Sequence, residues 1–197
     1  MNEVVPRITD NLRARLTANG FGEPMAVHFE HKPDCNFGQC WQNVQTTMQR
    51  EGGTLVIGRI VWQEEHGLWF HLEAHAVWRN PEGRLVDPTP KVDGETETVF
   101  VEDDIKHVGD VVIPSRYIVT SKSPKVRRLV EVLEQRGAII SAILSGSQPE
   151  DRDTLEEKRR LAVEMTQLAQ DLFPQDYIRL MRQAHIAKTL LMGRGMP

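Results

Sequence analysis

The chain holds only two cysteines, Cys35 and Cys40, among its 197 residues. Two thiols cannot build a disulfide framework, so each is read as a thiol, a ligand or a nucleophile. No stretch approaches the roughly 18 consecutive apolar residues of a membrane-spanning helix. The opening segment, MNEVVPRITDNLRARL, lacks the apolar run of a secretory signal. These absences predict a cytoplasmic protein with no membrane partner. An excess of basic residues is missing too. The formal net charge is -4, which counts against a nucleic-acid partner, since phosphate binding needs clustered Lys and Arg. There is no internal repeat.

What is present divides in two. Residues 1–120 carry a balance of -7 and residues 121–197 a balance of +3. The pattern changes at the same place. The first part predicts an α+β core and the second a helical extension, packed on the core or on a partner. The extension also offers a route to a homo-oligomer.

Within the core, residues 9–19 read as a short helix closed by Gly20. Residues 21–39 read as irregular, broken by Gly22, Pro24, Pro33 and Gly38. From Cys40 to about Arg50 the apolar positions take a helical period, stopped by Gly52-Gly53. The period then becomes two over 54–63 and 68–78, joined by a turn at Glu64-Glu65-His66-Gly67. Asn80-Pro81-Glu82-Gly83 is a second turn, leading to a strand at 84–87. Further strands are expected at 96–101, 108–113 and 115–120, forming an antiparallel sheet. Beyond Pro124, helices are expected over 125–136, 153–172 and 175–191, with a linker at 145–152. Asp153, with Glu156 three residues on, reads as an N-cap. Leu155, Leu161, Met165, Leu168 and Leu172 form an apolar stripe.

Cys40, His75 and Asp87 carry the chemistry. A free thiol has a pKa near ~8.5 and is a weak nucleophile at neutral pH. A neighbouring imidazolium and a helix N-terminus both favour the thiolate. A carboxylate on the second ring nitrogen orients the imidazole and stabilises its charged form. Cys40 stands where an irregular segment becomes a helix, so unpaired N–H groups there could also receive an oxyanion. A five-residue loop at 79–83 would pair Trp78 with Arg84 and put His75 directly opposite Asp87 on one face. A loop of four residues would put them on opposite faces.

The segment His75-Ala76-Val77-Trp78 … Gly83-Arg84-Leu85-Val86-Asp87-Pro88-Thr89-Pro90 resembles the transglutaminase-like superfamily. Its members carry a His-Ala-Trp-like strand, a short turn with Gly, and an Asp-Pro-Thr-like ending. Val77 stands inside that order here. Gln39-Cys40-Trp41 is similar to the Cys-Trp step of papain-like proteases. The resemblance spans roughly residues 35–90. It implies a papain/transglutaminase-like core, with Cys40 as nucleophile, His75 as base and Asp87 as its partner. The expected activity is acyl transfer on a peptide or protein amide through a thioacyl-enzyme, without a cofactor, to water or to an amine. Gln39, Trp41, Asn36 and Asn43 are candidates for substrate or oxyanion support, although neither Asn36 nor Gln39 has the spacing of the papain-like oxyanion Gln.

Rival readings use the same residues. His28, His31, Cys35 and Cys40 form H-x2-H-x3-C-x4-C, ligand types that suit zinc on an otherwise inert scaffold. Cys35 is the alternative nucleophile, less favoured because it does not begin a helix. His71 and Glu73 share a strand face with His75 and could wall a cleft.

Overall fold

The computed structural model describes residues 3–64, 66–91, 94–105 and 113–175. Its centre is the hairpin read from the alternating segments. Strands β3 (Thr54–Glu64) and β4 (Trp69–Arg79) pair antiparallel from Thr54↔Arg79 to Gln63↔Phe70. The intervening turn is held by the buried Glu64 carboxylate, which accepts from the N–H groups of His66 and Leu68.

Around this hairpin lie β1 (Glu3–Val4), α1 (Asp10–Ala18), β2 (Met25–Phe29), α2 (Cys40–Glu51), β5 (Leu85–Asp87), β6 (Glu97–Glu102) and β7 (Arg116–Val119). The sheet order is β1-β3-β6-β2-β5-β4-β7, and the additional β3–β4 pairing joins the ring formed by β3, β6, β2, β5 and β4. The molecule is therefore mixed α and β, with a sheet closed into a small barrel and four helices among the described residues. Closure removes sheet edges that would otherwise expose unpaired backbone groups.

Strand β4 threads all four hydrophobic clusters. Phe70 and Leu72 pack with Leu12 and Leu16 of α1. Trp69 packs with Val126, Leu129 and Phe173. Ala76 and Trp78 meet Val44 of α2, and Val77 meets Val27 and Phe100. Because alternate residues face opposite ways, one strand can anchor helices on both sides.

Four expectations are corrected. The segment 21–39 contains β2, whose only buried residue is Val27; so short and sparse a pattern carries no period. The sheet is not wholly antiparallel, since β2 runs parallel to β5 at His28↔Val86 and Phe29↔Asp87. Helix α3 (Pro124–Leu144) runs through Gly137 instead of ending there. A helical Gly costs only about 1 kcal/mol relative to Ala, less than α3 gains by packing on α4. Helix α4 (Arg152–Leu172) is capped by Asp151, not Asp153; the Asp151 side chain accepts from the Thr154 N–H at 2.9 Å. The expected strand at 108–113 and helix at 175–191 fall almost wholly outside the described residues.

The described part of the helical extension packs on the core. Leu161 is fully buried and Met165, Leu168 and Leu172 lie against the Trp69 cluster, whereas Leu155 is exposed. Arg128 of α3 forks onto Glu164 of α4 at 2.7 and 3.0 Å. No helix among the described residues is long and apolar enough to cross a membrane.

Gly58 marks a close approach between strands of the barrel. It lies opposite His75 on one side and Glu102 on the other. A Cβ there would collide with the Val101 carbonyl oxygen and the Phe100 ring. Gly58→Ala is expected to destabilise the fold by about 3 kcal/mol through overpacking. Urea denaturation should show a lower midpoint at unchanged slope; an unmoved midpoint would contradict the close approach.

Candidate active site

Cys40 is the first residue of α2. Gly38 turns the chain with φ 74°, and Gln39 caps the helix through its backbone, with its carbonyl accepting from the Asn43 N–H at 2.9 Å. The Gln39 side chain makes no capping bond. By position, the N–H groups of Cys40, Trp41 and Gln42 have no acceptor inside the helix. They leave a patch of positive potential beside the sulfur. Val44 seats α2 on Ala76, Trp78 and Val86, with Cys40, Trp41 and Met48 around the rim of that cluster. The same packing brings the thiol to the His75 ring and to the Ala76 N–H.

His75 and Asp87 are brought together by the Asn80–Arg84 turn. Asn80 and Arg84 bond across it, with the Asn80 N–H donating to the Arg84 carbonyl at 2.9 Å. The Gly83 N–H returns to the Asn80 carbonyl, and Gly83 has φ 83°. This is a three-residue loop closed by a left-handed Gly. The register is Trp78↔Val86 and Arg79↔Leu85, so Trp78 does not pair with Arg84 as expected and Asp87 falls opposite Val77, two residues short of facing His75. The slip is of two residues in the sum. The side-chain period is also two, so the face is kept. His75 and Asp87 meet diagonally, with Nε2 2.9 Å from Oδ2. Both are buried. The ring also interacts with the Cys40 thiol.

Three elements thus build one chain of groups: thiol from α2, imidazole from β4, carboxylate from β5. Their electrostatics are strongly coupled. Burial alone would push the Cys40 thiol up, but the His75 ring and the Ala76 N–H outweigh it and hold the thiol below its ordinary value. Burial works against the His75 cation as well, yet the Asp87 carboxylate and the Cys40 sulfur raise His75 to about 9. Asp87 is held well below the usual carboxylate range by His75 and Lys91, in spite of its burial. The three shifts run together, each toward the charged form: thiolate, imidazolium and carboxylate.

The expected support residues divide. Asn43 is a buried clamp: its Oδ1 accepts from the Asn36 N–H at 2.8 Å, and its Nδ2 donates to the Asn36 carbonyl at 2.7 Å and to Thr89 Oγ1 at 3.3 Å. It ties the loop before the thiol to the segment after the carboxylate. Asn36 takes part through its backbone, and its exposed side chain donates to the Asp34 carbonyl at 3.4 Å. Gln39 is exposed. Trp41 packs in the α2 cluster and does not line the cleft over Cys40. That cleft, of about 350 Å³, is lined by Phe37, Ile60, Trp62, Glu73 and Pro90 beside Cys40 and His75. Glu73 accepts from Trp62 Nε1 at 3.2 Å. His71 stacks on Tyr117.

The zinc ligands proposed from spacing do not converge. Among the described residues no three His, Cys, Asp or Glu side chains could hold one ion. His28 is exposed beside Glu97, and the Cys35 sulfur lies 3.8 Å from the Asn43 carbonyl and Thr47 Oγ1, against α2.

Two contacts were not foreseen. Thr89 donates its N–H to Asp87 Oδ1 at 2.9 Å; an Asp bonding the backbone two residues on is a recognisable turn signal. Lys91 Nζ lies 2.5 Å from Asp87 Oδ2. Nothing local announces that contact, because the segment between is not a helix.

No family model, curated protein or solved structure matches the chain.

Proposed function

We propose that the protein is a cysteine-dependent acyl-transfer enzyme acting on an amide or peptide, with Cys40, His75 and Asp87 as its triad. The reading rests on one observation: His75 bonds Asp87 at 2.9 Å, and its ring also interacts with the Cys40 thiol, beside which it lines one cleft. The His75–Thr89 segment and a helix packed on a closed sheet support grouping it with transglutaminase-like and papain-like enzymes.

In this mechanism the Cys40 thiolate attacks the acyl carbon, and the carbonyl oxygen becomes an oxyanion. The N–H groups at the start of α2 supply donors for it. The tetrahedral species collapses as His75 gives its proton to the leaving amine. A thioacyl-enzyme remains. His75, now neutral, takes a proton from water or an incoming amine as that nucleophile attacks. The thiolate leaves, and the acid or the new amide is released. Asp87 keeps the ring oriented throughout. Hydrolysis is the preferred outcome.

Iodoacetamide labelling across pH tests the reading. Cys40 is expected to label well below the ordinary thiol range, and Cys35 slowly. Cys40→Ala should remove the fast phase and all amide turnover. Uniform slow labelling of both thiols would sink the proposal.

A further inference from the structure

Asp87 Oδ2 has two cationic neighbours. His75 Nε2 lies at 2.9 Å and Lys91 Nζ at 2.5 Å. The Lys91 side chain is only 9% exposed, so its ammonium is largely removed from water and committed to this carboxylate. Resting on the cysteine-nucleophile reading above, we propose that Lys91 is a positioning residue of the triad: by sharing Oδ2 of Asp87 with His75, it limits how firmly that carboxylate holds the imidazolium.

The charge balance explains the effect. Asp87 is faced by His75 from β4, and by the Thr89 N–H and Lys91 from the segment after β5. Cys40 of α2 acts on it through His75. Glu30, just beyond β2, is occupied with Lys32 and Arg84. Glu73 and Glu95 line the cleft with Lys91. When His75 loses its proton, Asp87 is therefore not abandoned, because Lys91 still neutralises it. Without Lys91 the same step would leave a buried carboxylate held by neutral donors alone, the His75 Nε2–H and the Thr89 N–H, which is costly. The imidazole would then keep its proton to higher pH. Lys91 thus eases the proton transfers that His75 must make in each half of the reaction.

The test follows Cys40 labelling by iodoacetamide against pH in the wild type, Lys91→Met, Lys91→Gln and Lys91→Arg. A coupled thiol–imidazole pair gives two steps, one for thiolate formation and one for loss of the imidazolium proton. In both neutral variants the second step is expected to move upward by about half a pH unit or more, the direction set by losing a nearby positive charge. Lys91→Arg should restore it. An NMR titration of the His75 ring reads the same shift directly, and circular dichroism identifies variants that fold. If the folded neutral variants keep the wild-type second step, or merely slow at every pH, Lys91 only holds the loop and the proposal is overturned. Having two neutral variants guards against one failing to fold; if both fail while Lys91→Arg folds, the lysine is structural and the proposal again falls. If the wild type itself shows no early step, the nucleophile reading fails instead.

Discussion

His75→Ala is expected to lower amide turnover by ~10⁶-fold, the scale seen when the base of a nucleophile–base unit is removed. Two losses combine in that number. The leaving amine has no proton donor, and the nucleophile itself is switched off. Cys40 is half-buried, and that burial raises its pKa; the His75 ring is the main force in the other direction. Without the ring, desolvation prevails and the thiol stays protonated at neutral pH. Turnover and iodoacetamide labelling of Cys40 should therefore fall together. A variant that loses turnover but keeps fast labelling would show that another group activates the thiol. Equal loss in kcat and kcat/KM would mark a role confined to the transition state.

Asp87→Ala should have the largest effect on stability, about 3–5 kcal/mol, as found when one partner of a buried ion pair is removed. The carboxylate is fully buried and accepts from His75, Lys91 and the Thr89 N–H. Its removal strands two cationic groups and one N–H. The pH dependence separates this from simple loss of packing. His75 is raised to about 9 in the fold, against about 6.5 in an unfolded chain. A raised pKa contributes stability that is full below the unfolded value and lost as pH rises through the folded one. Asp87, depressed in the fold, contributes above the ordinary carboxylate range and loses that contribution as pH falls. The His75 contribution should thus decline between about pH 6.5 and about pH 9, while Cys40, depressed in the fold, contributes the opposite slope as pH rises toward the ordinary thiol range. In Asp87→Ala the His75 decline should flatten, because the imidazole loses the stronger of its two partners and keeps only the Cys40 sulfur. Denaturant titrations across this window check both statements; a variant as stable as wild type would remove the buried ion pair from the account.

Much of the site was legible because its determinants are local. The start of α2 at Cys40 follows from breakers ahead of a helical period. The alternation over β3 and β4 follows from β-branched and aromatic residues. Asn80-Pro81-Glu82-Gly83 marks its own turn. Even the misjudged register left His75 and Asp87 on one face, since a strand needs only the correct parity for that. Gly137 misled because a single residue's helix propensity is weak beside the packing of α3 on α4.

By itself, then, the sequence determined three chemical groups, the order in which they occur, and the elements that carry them. Only the tertiary structure decided that they meet. The parallel β2–β5 pairing closes the barrel, the Asn43 clamp joins the loops on either side of the site, and Lys91 reaches the oxygen that His75 also holds. Each of these joins segments with no shared local pattern. Periodicity and turn chemistry act over a few residues, whereas such contacts arise from the burial and pairing of the whole sheet.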